Sequence, residues 1–125
     1  CFKHFPVRGH SHAVPTSIAS LAAAQQGRFW QIHDELYRSA PRLDEEHIVA
    51  CARGAGVPDM DRWQRDRGNA QLRALIETDK LEGLRNGVAG TPTLFINAKQ
   101  YLGRNDEAEL RDRIEEERDI VAGRL

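Results

Sequence analysis

Strand-like and helix-like stretches occupy separate parts of this sequence, and that separation most limits the folds open to it. Cys1–Phe5 reads as a strand that stops at Pro6. From Ser11 to about Arg85 the spacing is helical throughout. Strand character returns at Leu94–Ile96 and Gln100–Leu102, which form a hairpin across Asn97-Ala98-Lys99. A last amphipathic helix runs from about Asp106 to Val121, with Leu110, Ile114 and Ile120 or Val121 on one side. The order is strand, helical middle, hairpin, helix. No repeat or low-complexity linker interrupts it, so the chain reads as one domain.

Glycine, proline and capping residues divide the helical middle. Ser11 can cap a first helix with Pro15 in its first turn; Ile18, Leu21, Ala22 and Gln25 follow at helical spacing, and Gly27 stops it. The alanines Ala19 and Ala22–Ala24 let another element approach closely. Arg28–Ser39 is a second helix with the stripe Phe29, Trp30, His33, Leu36 and Tyr37, broken at Pro41. Asp44 caps a third through Ala55, ended by Gly56. Asp59 caps a fourth stretch with Met60 and Trp63, which Gly68-Asn69 bends or interrupts. Leu72, Leu75, Ile76 and Leu81 carry the pattern on to Arg85, and Asn86-Gly87 closes it.

Composition excludes more than it selects. At 125 residues the chain can bury a real core. Its 18 basic and 19 acidic side chains nearly cancel, so no global field favours nucleic acid or an anionic membrane. No apolar run is long enough to span a bilayer. Cys1 and Cys51 fit no Cys-x-x-C or metal spacing, and Cys51, within Ile48-Val49-Ala50-Cys51-Ala52, reads as a small buried thiol. His10 and His12 lack further ligands at metal spacing and read as loop and helix-start residues. His33 reads as a half-buried packing residue, and His4, alternating with Phe5, as solvent-facing. Trp30 and Trp63 read as core, and Glu115–Asp119 as a solvated helix face.

The most informative stretch is Val88-Ala89-Gly90-Thr91-Pro92-Thr93-Leu94-Phe95-Ile96-Asn97. Proline gives no amide hydrogen to a sheet, so Pro92 belongs in a turn, at an edge or at a strand's first residue. The residues alone leave a trans proline opening an edge strand and a cis proline both open.

Four blocks carry a resemblance: "FKHFP" at 2–6, "HSHA" at 10–13, "AAAQQGRFWQIHDELY" at 22–37 and "GVAGTPTLFINAKQYLG" at 87–103. In order and spacing they resemble the DsbA-like branch of the thioredoxin superfamily. The resemblance implies an α/β thioredoxin-like fold with a helical insertion at about 11–85, flanked by core elements at 1–10 and 86–125. It also implies a first strand, a Cys-x-x-C motif and its helix ahead of Cys1. A strand at the first residue, with no Met and no polar lead-in, raises the same expectation of an upstream segment. The fold is therefore expected to be N-terminally incomplete as it stands, and open to dimerisation or strand exchange.

By the same resemblance Pro92 is cis and Thr91 is the residue whose backbone pairs with an extended substrate. Gly90 allows close approach. A cis X-Pro bond costs only about 0.5–1 kcal/mol over trans. The implied activity is thiol–disulfide exchange on extended thiol- or disulfide-bearing polypeptides, outside the cytoplasm and without a cofactor. These residues by themselves hold no catalytic dithiol, because Cys1 lies on a strand rather than at a reactive helix start. A non-catalytic peptide- or partner-binding module is the alternative. A glutathione-dependent transferase or isomerase, which shares the helical insertion and the proline loop, ranks third.

Overall fold

Six helices and one two-stranded hairpin follow one another in a computed structural model that describes residues 1–124. The chain divides into two compact units, Cys1–Ala89 and a second beginning at Gly90.

The first unit holds α1 (Ala13–Ala24), α2 (Phe29–Ser39), α3 (Glu45–Gly54), α4 (Met60–Asp66) and α5 (Ala70–Arg85). Their starts follow from side-chain chemistry. The carboxylates of Asp44 and Asp59 accept the amides of His47 and Arg62, and the Asn69 side chain accepts that of Gln71. The expected Ser11 cap is not made: α1 starts after His12 with no side-chain cap. The Ala13 amide donates instead to the His10 carbonyl at 3.0 Å, and Pro15 has no amide hydrogen to satisfy.

α1 packs against α2, α3, α4 and α5, and the alanines make this close approach feasible. Ala19, Ala22 and Ala23 are fully buried with Ile32, Leu36, Ile48, Cys51, Ala52 and Trp63. The Trp63 indole N–H donates to the carbonyl of Ala19 at 3.1 Å, so the largest core side chain also satisfies its one polar atom. Gln26 and Asp59 exchange two hydrogen bonds, side-chain amide to backbone in both directions at 2.9 Å, tying the end of α1 to the start of α4.

Further sequence expectations change in this unit. Cys1–Phe5 forms no strand, because no neighbouring strand offers it a ladder. Side chains of α5 hold it instead: Asp79 accepts the amide of His4 at 2.9 Å, Glu82 takes the Lys3 ammonium at 3.0 Å, and Lys80 donates to the carbonyl of Pro6 at 2.6 Å. Gly83 lets this segment lie close, since a Cβ there would meet the Phe5 ring at 2.9 Å. His4 is consequently buried rather than solvent-facing. Trp30 is not core: Ile32 and Leu36 turn inward from α2, while Trp30 and Tyr37 are 59% and 72% exposed. Leu75 and Leu81 of α5 likewise lie outside, and Leu72 and Ile76 carry the burial.

The second unit comprises β1 (Phe95–Ile96), β2 (Lys99–Gln100) and α6 (Glu107–Val121), with Asp106 capping the amide of Glu109. The hairpin turn is two residues long rather than three. Asn97 and Ala98 both take positive φ, 49° and 63°, which pairs Ile96 with Lys99 and Phe95 with Gln100. Tyr101 adds a bond from its amide to the carbonyl of Leu94 at 2.8 Å. On α6 the stripe is not apolar as expected: Ile114, Ile120 and Val121 are exposed, and Glu117 is the buried residue at 2% exposure. Glu117 stands three residues after Ile114 and seven after Leu110, on the helical face where an aliphatic residue would normally sit.

Candidate functional site

In the second unit, Gly90-Thr91-Pro92-Thr93 forms a turn immediately ahead of the hairpin, with the Thr91–Pro92 peptide bond cis. A proline in cis at the third position is the signature of a type VI turn. The Thr93 hydroxyl donates to the carbonyl of Gly90 at 2.6 Å and spans the turn from its last residue to its first. Thr91 and Pro92 are exposed, whereas Thr93 and Leu94 are half-buried. Chain pairing begins only at Leu94: among the described residues, no hydrogen bond engages the backbone N–H or C=O of Thr91. Gly90 has open space where a Cβ would stand, with no atom within 4 Å. The sequence-predicted residues Gly90, Thr91 and Pro92 thus stand together in one turn, where Thr91 and Pro92 are exposed and the backbone of Thr91 is unpaired among the described residues.

The hairpin that follows is tied to α6 by a polar anchor that sequence reasoning missed. The Lys99 ammonium meets both carboxylate oxygens of Glu117 at 3.0 and 3.1 Å, and Arg113 donates to the same carboxylate. The Lys99 contact, supported by Arg113 and Asn97, holds the Glu117 carboxyl below the usual carboxylate range. In the sequence a glutamate four residues after an arginine matches an ordinary solvated ion pair, which is how Glu115–Asp119 read, so nothing local marks Glu117 as buried. At the start of α6, Tyr101 donates to the carbonyl of Arg104 at 2.8 Å and Arg104 pairs with Glu109 at 3.0 Å. Gly103 lies beneath both: a Cβ there would collide with the Tyr101 hydroxyl and the Glu109 carboxylate.

The first unit contributes a second notable surface. Phe2, Phe29, Trp30, His33 and Tyr37 form a continuous aromatic group, with His33 4.7 Å from Tyr37, 5.3 Å from Trp30 and 5.5 Å from Phe2, centroid to centroid. His33 is half-buried within it. Both cysteines are free thiols; Cys1 is exposed, while Cys51 is buried with its sulfur 3.2 Å from the Ser39 hydroxyl.

A family model described as DSBA-like thioredoxin domain matches residues 4–115. The chain belongs to that family. The crystal structure of a thioredoxin-like oxidoreductase from Silicibacter pomeroyi DSS-3 superposes with a TM-score of 0.81 at 25% identity, covering 94% of this chain and 66% of that one. This DsbA-like domain is also similar to parts of larger curated proteins. It is 33% identical over 112 residues to Na(+)/H(+) antiporter NhaA 1 of Mycolicibacterium gilvum, covering 87% of this chain and 18% of the antiporter. It is 30% identical over 104 residues to Na(+)/H(+) antiporter NhaA of Herminiimonas arsenicoxydans, covering 83% and 16%. The domain thus spans less than a fifth of the length of those antiporters. None of its described helices is long and apolar enough to cross a membrane.

Proposed function

We propose that this DsbA-like domain is the substrate-facing part of a thiol–disulfide oxidoreductase, and that Gly90, Thr91 and Pro92 receive an extended thiol- or disulfide-bearing polypeptide. The observation that carries the reading is the exposed backbone of Thr91, unpaired within the described chain and directly ahead of a hairpin. An extended peptide pairing there would use main-chain hydrogen bonds, with side-chain preference left to its surroundings. The open space at Gly90 lets that peptide approach.

Disulfide exchange needs a thiolate to attack one sulfur of a disulfide and a second thiol to resolve the mixed disulfide, so two thiols are oxidised as one disulfide is reduced. Neither cysteine here suits that role. Cys51 is enclosed in the helical core, and Cys1 sits in an irregular segment rather than at a helix start, where thiolates are stabilised. In this reading the reactive pair comes from outside residues 1–125.

The experiment is oxidation of a reduced two-cysteine peptide by the protein as its gene encodes it, compared with Gly90→Val. The substituted side chain enters open space, so the free energy of unfolding should change by under about 0.5 kcal/mol. We expect kcat/KM to fall about tenfold or more. Equal activity in the two proteins would contradict the reading. Peptide binding at Thr91 without any disulfide exchange would favour a non-catalytic binding module instead.

The antiporter matches support a second reading, in which the domain is carried on a Na(+)/H(+) antiporter. Sequencing the reading frame around these residues tests it: an adjoining antiporter sequence supports this, and a frame without one refutes it.

A further inference from the structure

We propose that the cleft between residues 6–10 and α5 is a binding site for a small organic oxyanion, meaning a carboxylate or phosphate on a short aliphatic body. The inference stands apart from the disulfide-exchange reading. The cavity measures about 290 Å³, at the small end of the range for small-molecule sites. Arg8, His10, Arg73 and Lys80 line it, against the single carboxylate of Glu77. Three permanent cations facing one anion is a local excess in a chain whose net charge is −1.

The cations are also under-used. Lys80 is half-buried, and its ammonium donates to the Pro6 carbonyl and stands 5.4 Å from the Phe5 ring centre. Among the described residues neither Lys80 nor Arg8 forms an ion pair. An ammonium has three donors, so Lys80, which lines the cleft, retains hydrogen-bonding capacity beyond its bond to Pro6. Glu77 reaches Arg73 only at 3.9 Å, with both side chains well exposed, so that guanidinium is free to turn to a better acceptor. Partial burial of Lys80 makes attraction to an incoming anion stronger than it would be on an open surface. The remaining wall is apolar, from Val14 and Ile76, which calls for a ligand with an aliphatic portion beside its charge.

The test is calorimetric titration of the full chain with hexanoate, with butyl phosphate and with neutral hexanamide. We expect at least one anion to bind and hexanamide not to, and binding to weaken as salt rises from about 20 to about 200 mM. Tighter hexanoate identifies a carboxylate site and tighter butyl phosphate a phosphate site; either supports the proposal. Lys80→Met should weaken binding, and because Lys80 also holds Pro6, Arg73→Gln and Arg8→Gln provide variants at exposed positions. Each of these should weaken binding about three- to fivefold. Hexanamide binding as well as the anions would overturn the proposal, as would no heat up to about 10 mM ligand. Unchanged affinity in both arginine variants would overturn it too.

Discussion

In the helical unit the largest fully buried side chain is an indole, Trp63; in the hairpin–helix unit it is a carboxylate, Glu117. The first unit has five helices and can enclose apolar side chains on several sides, so Trp63, Ile32 and Ile48 lose nearly all contact with water. The second unit is far shorter, and short segments cannot build such a core. Among its described residues Glu117 alone is buried. Its order comes from directional contacts: Lys99 and Arg113 on Glu117, Tyr101 and Glu109 around Arg104, and Asp106 on the start of α6. Apolar packing tolerates most local polar changes, whereas a polar anchor depends on each partner and on pH.

The comparison breaks first at Trp63. Trp63→Ala removes the centre of the helical core together with the indole's hydrogen bond to the Ala19 carbonyl, and should cost about 3–5 kcal/mol, read as a lowered urea midpoint. Gly103→Ala is the matching probe of the second unit. A methyl group would displace Tyr101 and Glu109, and a loss of about 1–3 kcal/mol is expected, with amide exchange faster at the start of α6. If Gly103→Ala proved harmless, the polar network around Arg104 would not be what orders that end.

The subtlest difference is in acid. Burial pushes the His4 imidazole below its usual 6.5, against an opposing pull from Asp79. As pH falls through 6.5 the unfolded chain gains a proton there that the folded one resists, so stability of the helical unit declines from that point. Glu117 is depressed from 4.5, so its contribution is complete above 4.5 and is lost only as pH falls below it. Amide protection factors should therefore drop first around α5 and residues 1–6, as pH falls below about 6.5. In the hairpin they should hold until below about pH 4.5. Simultaneous loss in both units would erase the distinction, and His4→Gln should remove the earlier step.

Helix boundaries were legible in the sequence because their causes are local. Asp44, Asp59 and Asp106 cap where they stand, and Gly27 and Gly56 take positive φ just past the helix ends. Strands were less legible because a ladder needs a partner. The Cys1–Phe5 segment has strand composition but lies along α5, held by Asp79 and Lys80. Periodicity likewise could not separate Trp30 from Trp63; both sit on helical stripes, and only the packing of α1 decides which one is enclosed. In the candidate site, Gly90-Thr91-Pro92 could be singled out from its neighbours in the sequence. Glu117 could not, because its burial depends on a lysine eighteen residues earlier across a hairpin.

The central claim is that an extended polypeptide pairs with the backbone at Thr91. Its most direct test is an NMR titration of the ¹⁵N-labelled chain with an extended cysteine-containing peptide. The account predicts that the amides of Gly90, Thr91 and Thr93 shift together and saturate, while those of α1–α5 hold still. Saturating shifts confined to the helical unit, with Gly90–Thr93 unmoved, would contradict it.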